Sequence, residues 1–280
     1  MRVSRLLASA AVASTVAASA IPTAAKIDEH VLVRRQDTKY FHEPGGSEIL
    51  GHYDLRYFKG QDSYEDRLLT LRHLTRAYLN WFRDHGLETW IAHGTLLGWW
   101  WSGGMLPWDW DVDTQVADST LKHLAQNYNM TRWPYESDLG DDVKREYLLD
   151  VNPYSAERVR GDGNNVIDAR WIDTSNGLYI DITGLTETRP DEDPGVWSCK
   201  NEHRYRTRDL FPLRPTLFEG VVAWVPFNYA KILVQEYNNK ALTLEEYEGH
   251  RWDQQSFQWV KMKKEGEGEG EGQGEGQPTS

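Results

Sequence analysis

Three aspartates at alternate positions, Asp109, Asp111 and Asp113, close the stretch of this 280-residue chain that carries its clearest chemistry. The stretch opens with a short apolar run, Trp90 to Ala92. It passes a glycine-framed segment, Gly94 to Gly98, which reads as a turn, and then the pair Gly103-Gly104. The alternation predicts a strand over Trp110 to Val116. Alternate side chains on a strand share a face, so the three carboxylates should point the same way. Like charges that close repel unless something positive lies between them. A divalent cation with hard oxygen ligands is the natural counter-charge. The competing reading is a solvated edge strand, charged to block pairing. Trp108 and Trp110, flanking Asp109, argue against full solvation.

Two carboxylates on one strand and a third on a neighbour suit phosphate chemistry, in which a metal offsets charge as the bond breaks. Asp181, within Tyr179-Ile180-Asp181-Ile182, is the expected third carboxylate. Asp173 competes, but it stands beside a turn, where aspartates are usually structural. Leu178, Ile180 and Ile182 share one parity and Tyr179, Asp181 and Thr183 the other, so Asp181 should face a cleft. Phosphates also need donors. Gly94-Thr95 offers backbone N–H groups and a hydroxyl where glycine permits close approach. His93 is either a substrate-binding or acid–base group or a structural hydrogen-bonder. Lys200, His203, Arg204, Arg206 and Arg208 form a basic run that either forks onto a pyrophosphate or is a solvated face. Cys199 and His203 supply two metal ligands, too few for a structural zinc site.

These groups need a scaffold. Asp62 or Ser63 should cap a helix to about His85, with Leu68, Leu71, Leu74, Tyr78 and Phe82 at helical spacing and Gly86 as its stop. Asp118 should cap a second, about Ser119 to Tyr128. Residues 133–165, rich in charge, Gly, Pro and Asn, read mostly as a long insertion with one strand at Tyr147 to Val151. Strands are expected at Ile167 to Asp173 and Leu178 to Thr183, around Ser175-Asn176-Gly177. Loop should fill 186–200, with a strand at Gly220 to Val225. Pro226 should begin a helix that stops at Asn238-Asn239. Thr243 with Glu246 forms a capping box for a final short helix. Strands and helices mix without clean β-α-β alternation. The expectation is therefore one α+β domain over residues 61–262, a mixed β-sheet flanked by helices.

The formal charge is −12, and −15 without residues 1–35, which hold five Arg/Lys and two Asp/Glu. Such acidity excludes general nucleic-acid binding, which needs a basic footprint. The single cysteine, Cys199, excludes an intramolecular disulfide. Two arginines in Met1 to Arg5, an uncharged run from Leu6 to Ala20 and the small-residue site Ala18-Ser19-Ala20 read as a signal peptide over residues 1–20. The apolar run is short for a membrane span of ~20 residues, an uncleaved anchor being the alternative. Residues 21–60, with the dibasic Arg34-Arg35, read as a propeptide or surface-wrapping segment. Asn129-Met130-Thr131 is a glycosylation sequon, meaningful only in the secretory pathway. The Gly/Glu-rich tail, 263–280, cannot bury apolar surface and should be disordered. The expected location is the Golgi lumen or the exterior.

Taken together the motifs resemble a known family. His93-Gly94-Thr95-Leu96-Leu97-Gly98 followed by Pro107-Trp108-Asp109-Trp110-Asp111-Val112-Asp113 is similar to the LicD/fukutin family of nucleotidyltransferase-fold phosphotransferases. The resemblance continues through Tyr179-Ile180-Asp181-Ile182, Asp209-Leu210-Phe211-Pro212-Leu213, Phe218-Glu219-Gly220 and Val225-Pro226, spanning about Leu68 to Tyr247. The tryptophan cluster and the Gly/Glu- and Lys-rich end resemble the fungal branch linked to mannosylphosphate addition on glycoprotein glycans. The resemblance implies a nucleotidyltransferase-like fold, a Mg²⁺ or Mn²⁺ site, and transfer of a sugar-phosphate from a nucleotide-diphospho-sugar donor to a glycan hydroxyl. It makes Gly94-Thr95 the donor-phosphate turn, Asp111 and Asp113 the metal pair, Asp181 the third carboxylate and base, and Asp109 a further member of the acidic run. Many bacterial members carry a basic residue before the Pro-Trp-Asp segment, where Trp99, Trp100 and Trp101 stand here. Two other functions compete. One is a catalytically silent regulator that recruits another glycosylation enzyme, against which the intact aspartates argue. The other is a metal-dependent glycosyltransferase, against which the Gly-Thr segment argues.

Overall fold

The computed structural model describes residues 38–262. The expected signal peptide, the start of the following segment and the Gly/Glu-rich tail lie outside the described residues. The first helix, α1 (Tyr64–Asp84), starts where Ser63 accepts the backbone N–H of Asp66 at 3.1 Å, satisfying one orphan donor of the first turn. It ends before Gly86, whose φ of +64° suits glycine. Next come β1 (Trp90–Ile91), α2 (His93–Ser102), β2 (Val112–Ala117) and α3 (Asp118–Asn127). The strands β3 (Thr131–Glu136), β4 (Lys144–Val151), β5 (Ala169–Asp173), β6 (Tyr179–Glu187), β7 (Val196–Ser198) and β8 (Arg204–Arg206) follow. The chain finishes with α4 (Thr207–Leu210), β9 (Arg214–Phe218), β10 (Val221–Val225), α5 (Tyr229–Tyr237), β11 (Glu246–Tyr247), β12 (His250–Asp253) and β13 (Gln258–Lys261).

The main sheet runs β1-β2-β6-β5-β4-β3, with β7 and β8 continuing from β6. Only β2 and β6 pair in parallel; the other pairings are antiparallel. This is a mixed sheet with helices against it, an α+β fold of nucleotidyltransferase type. The parallel register sets Asp113 opposite Asp181. The expected parity of β6 holds. Leu178, Ile180 and Ile182 join the main core with Leu71, Leu74, Tyr78 and Phe82 of α1. Tyr179 joins a smaller cluster with Leu148 and Ile172, covered by Tyr57 from the segment before α1. That segment does more than wrap: Phe41, Tyr53 and Asp54 are buried, and Tyr53 bridges to Leu178.

Several local expectations are corrected. The glycine-framed segment after Ala92 is the helix α2, not a turn. Its glycines answer close packing: a Cβ on Gly98 would lie 2.6 Å from the Gly104 carbonyl and 3.1 Å from the Leu106 nitrogen. The strand carrying the aspartates begins only at Val112, because its ladder with β6 opens there; Asp109 and Asp111 precede the sheet. Within residues 133–165, read mostly as an insertion, the expected strand at Tyr147 to Val151 is present as part of β4, and β3 pairs with it as a hairpin that extends the sheet. Pro134 disguised β3, yet β3 is the edge strand, where a missing N–H is tolerated. Residues 186–200 include β7, and α5 starts at Tyr229 rather than Pro226. Among the described residues no helix follows Thr243: its hydroxyl bonds back to the carbonyl of Asn239, and the chain forms the three-stranded sheet β11-β12-β13. Among the described residues no helix is long and apolar enough to cross a membrane.

Candidate active site

The carboxylates gather where β2 and β6 begin. Asp109 and Asp111 approach on the segment before β2, and Asp113 and Asp181 stand on the adjacent parallel strands. Burial, then the hydrogen-bonded neighbour Asp111, then Asp113, push the Asp109 carboxyl up to about 9. Burial also raises Asp113 well above the usual carboxylate range, with Asp111, Asp181 and Glu236 adding to the rise. Burial raises Asp181 as well, with Asp111 and Glu43 helping and Arg170 opposing. The expected face therefore exists electrostatically, although a strand supplies only part of it.

α2 presents its first turn to this cluster. A Cβ on Gly94 would come within 2.7 Å of the Asp109 Oδ2, so glycine lets a carboxylate sit against the helix start, where partial positive charge gathers. Thr95 is buried, and its hydroxyl oxygen accepts the Asp113 backbone N–H at 2.8 Å. Its oxygen thus fixes α2 to β2, leaving only its proton for a ligand. His93, at φ +50°, bonds Glu236 of α5 through Nδ1 at 3.0 Å, and its ring lies 4.2 Å from that of His203, tilted by 40°. Tyr205 donates to the same Glu236 at 2.6 Å. Burial alone would raise Glu236, yet the bonds from His93 and Tyr205 hold it below its ordinary value. Burial lowers His203, and His93 beside it adds to the effect.

Two cavities flank the carboxylates. One, of about 500 Å³, is polar and touches Asp113, His93, His203, Arg204 and Glu236. The other, of about 440 Å³, is walled by tryptophans and reaches Gly94 and Asp109.

Residues 86–228, just over half of the chain, match the family described as LicD/FKTN/FKRP, nucleotidyltransferase domain. The chain belongs to the LicD family. Over 157 residues it is 35% identical to Mannosyltransferase regulator 4 of Saccharomyces cerevisiae, covering 54% of this chain and 13% of that relative. It is 37% identical over 139 residues to Mannosyltransferase regulator 14 of the same yeast, covering 48% of this chain and 14% of the relative. It is 25% identical over 193 residues to the human Ribitol 5-phosphate transferase FKRP, covering 61% and 32%. The chain thus spans less than a third of the length of each of these relatives.

Within this LicD domain the basic run is dispersed. Lys200 is buried and pairs with Asp168 at 2.8 Å; it braces the fold. Arg204 is exposed and pairs with Asp193 at 2.5 Å, though it still borders the polar cavity. Arg208 is exposed on α4, outside that cavity's lining. Cys199 faces the His203 ring at 3.4 Å. Asp173 accepts from the Ser175 backbone N–H at 2.8 Å, holding the β5–β6 turn away from the other aspartates.

Sequence reading missed the groups that hold the carboxylates. Arg170 of β5 lies opposite Asp181, bonds it at 2.8 Å and bonds Glu43 at 2.8 Å. His52 stands 3.8 Å from Asp111. The buried guanidinium of Arg67 lies 4.4 Å over Trp110 and donates to the Pro107 carbonyl at 2.7 Å, gripping the segment that carries Asp109. A lone arginine in an otherwise apolar strand was the available signal for Arg170. Glu236 and Glu43 had none.

The donor set suits a hard divalent cation: carboxylate oxygens, sheltered and mutually repelling. Among the described residues, no three His, Cys, Asp or Glu side chains converge closely enough to hold a metal as they stand.

Proposed function

We propose that this LicD domain transfers a sugar-phosphate, most simply mannose phosphate, from a nucleotide-diphospho-sugar donor to a hydroxyl of a glycoprotein glycan. The observation that carries the reading is the sheltered row Asp109, Asp111, Asp113 and Asp181 beside the start of α2, between two cavities. The acceptor oxygen attacks the sugar-bearing phosphorus, the bond to the bridging oxygen breaks, and nucleoside monophosphate leaves. Asp181, raised by burial and oriented by Arg170, takes the acceptor proton. The first-turn N–H groups of α2 and the Thr95 proton face the donor phosphates. His93, fixed by Glu236, and Arg204 border the donor's path. Mg²⁺ or Mn²⁺ would be held by Asp111 and Asp113 with help from Asp109 or Asp181, and would offset the pyrophosphate charge. The setting follows from the N-terminal reading: the lumen of the secretory pathway, or the exterior.

A second reading has support of its own. Two relatives are named as mannosyltransferase regulators. On that reading the domain recruits another glycosylation enzyme and turns over nothing. One experiment separates the readings: purified protein, a panel of nucleotide-diphospho-sugars, a mannose oligosaccharide and Mn²⁺, with acceptor mass as the readout. Added hexose phosphate supports transfer, and added hexose alone supports a glycosyltransferase. No product with intact metal binding supports the recruiter.

A further inference from the structure

The residues beyond the family match build one wall of the tryptophan cavity. β11, β12 and β13 fold back on α2 so that Trp101 lies 4.9 Å from both Trp252 and Trp259, ring to ring. Trp108, next to Asp109, lies 4.9 Å from Trp259 and 5.3 Å from Tyr247. The cavity of about 440 Å³ falls within the ~300–1,000 Å³ of small-molecule sites and ends on the Asp109 carboxylate. Lys240 stands exposed in its lining, and Tyr247 is 51% exposed, so this side opens to solvent. Trp259 is half-buried and gives the cavity one of its aromatic walls.

We infer that this cavity seats a pyranose unit of the glycan, the acceptor sugar itself. Flat indole faces cover the C–H face of a sugar ring. The Asp109 carboxyl and the Lys240 ammonium in the lining can bond ring and hydroxyl oxygens. An anionic nucleotide is a poorer occupant, because no guanidinium lines the cavity. The second cavity, which touches Asp113 and is bordered by Arg204, His93 and His203, suits the anionic donor better. Donor and acceptor then meet at the aspartates. The acceptor role rests on the transferase reading; the binding of sugar does not.

The test is calorimetric titration of the full chain with an α-linked mannotriose, in EDTA and without donor, beside a parallel titration with GMP. Mannotriose should bind the wild type. Tyr247→Ala, at a half-exposed position, and Trp259→Phe, which shrinks an aromatic wall of the cavity, should each weaken it by about tenfold. Their melting temperatures should stay near wild type. No saccharide binding by folded protein would overturn the inference. So would GMP binding that Tyr247→Ala and Trp259→Phe abolish. Mannotriose binding without any transfer, across the donor panel, would sink the transferase reading and leave the sugar site standing.

Discussion

The electrostatic strain in the carboxylate row gives its own test, Asp113→Asn in metal-free protein. Asp113 and Asp181 face each other across parallel strands, ~5 Å apart at strand spacing. Two unit charges at ~5 Å repel by ~3 kcal/mol at an effective dielectric of about 20. Burial raises both carboxyls, so at neutral pH much of this repulsion is already titrated away and the amide should gain at most about 1 kcal/mol in EDTA. In a domain of this size that raises the melting temperature by about 2–4 °C at most. The pH dependence has a definite sign. Asp109 moves from its ordinary 3.8 to about 9, so the folded state keeps a proton that the unfolded chain has lost. Stability of the metal-free wild type should therefore fall as pH rises from about 4 toward 9. Asp113 is one cause of the Asp109 shift, so the Asn variant should show a flatter profile. Mn²⁺ at a hundred times its Kd would stabilise the wild type by ~2.7 kcal/mol, a gain the variant should largely lose. Calorimetric melts at pH 5, 7 and 8.5, with EDTA or Mn²⁺, read every one of these effects. A variant less stable than wild type at every pH in EDTA, and equally stabilised by Mn²⁺, would show that the aspartate is a structural acceptor and would end the argument.

Other substitutions separate packing from chemistry. Gly94→Ala presses on the Asp109 carboxylate, which can swing aside, so it should cost under ~1 kcal/mol but at least about tenfold in turnover. Gly98→Ala meets backbone at 2.6 Å and should instead cost ~1–3 kcal/mol in urea denaturation. Arg170→Met strips Asp181 and Glu43 of their shared cation and should cost ~3–5 kcal/mol; a loss below 1 would mean the pairing is idle. Asp181→Ala should slow turnover by ~100-fold with donor affinity retained, whereas Asp173→Ala should lower the melting point and spare turnover. The reverse pattern would exchange their roles.

What was legible follows from how far each constraint reaches along the chain. The cap at Ser63, the stop at Gly86 and the parity of Leu178, Ile180 and Ile182 are local, and all three stand in the fold. The alternation of Asp109, Asp111 and Asp113 suggests one strand, which the fold does not provide for all three. Only Asp113 is on a strand; grip on the preceding segment, including Arg67 on the Pro107 carbonyl, brings the others in. Gly94 and Gly98 misled because a glycine needed for close approach carries the same letter as one needed for a turn. Arg170, Glu43 and Glu236 were invisible for a different reason: 127 residues separate Glu43 from Arg170, and 143 separate His93 from Glu236. No periodicity encodes such partners. Once strands are paired, however, Arg170 follows at once, because the β5–β6 register sets it opposite Asp181 and the β2–β6 register sets Asp181 opposite Asp113. A cation and two anions in one row across three strands is a pattern of the sheet, read across the chain rather than along it.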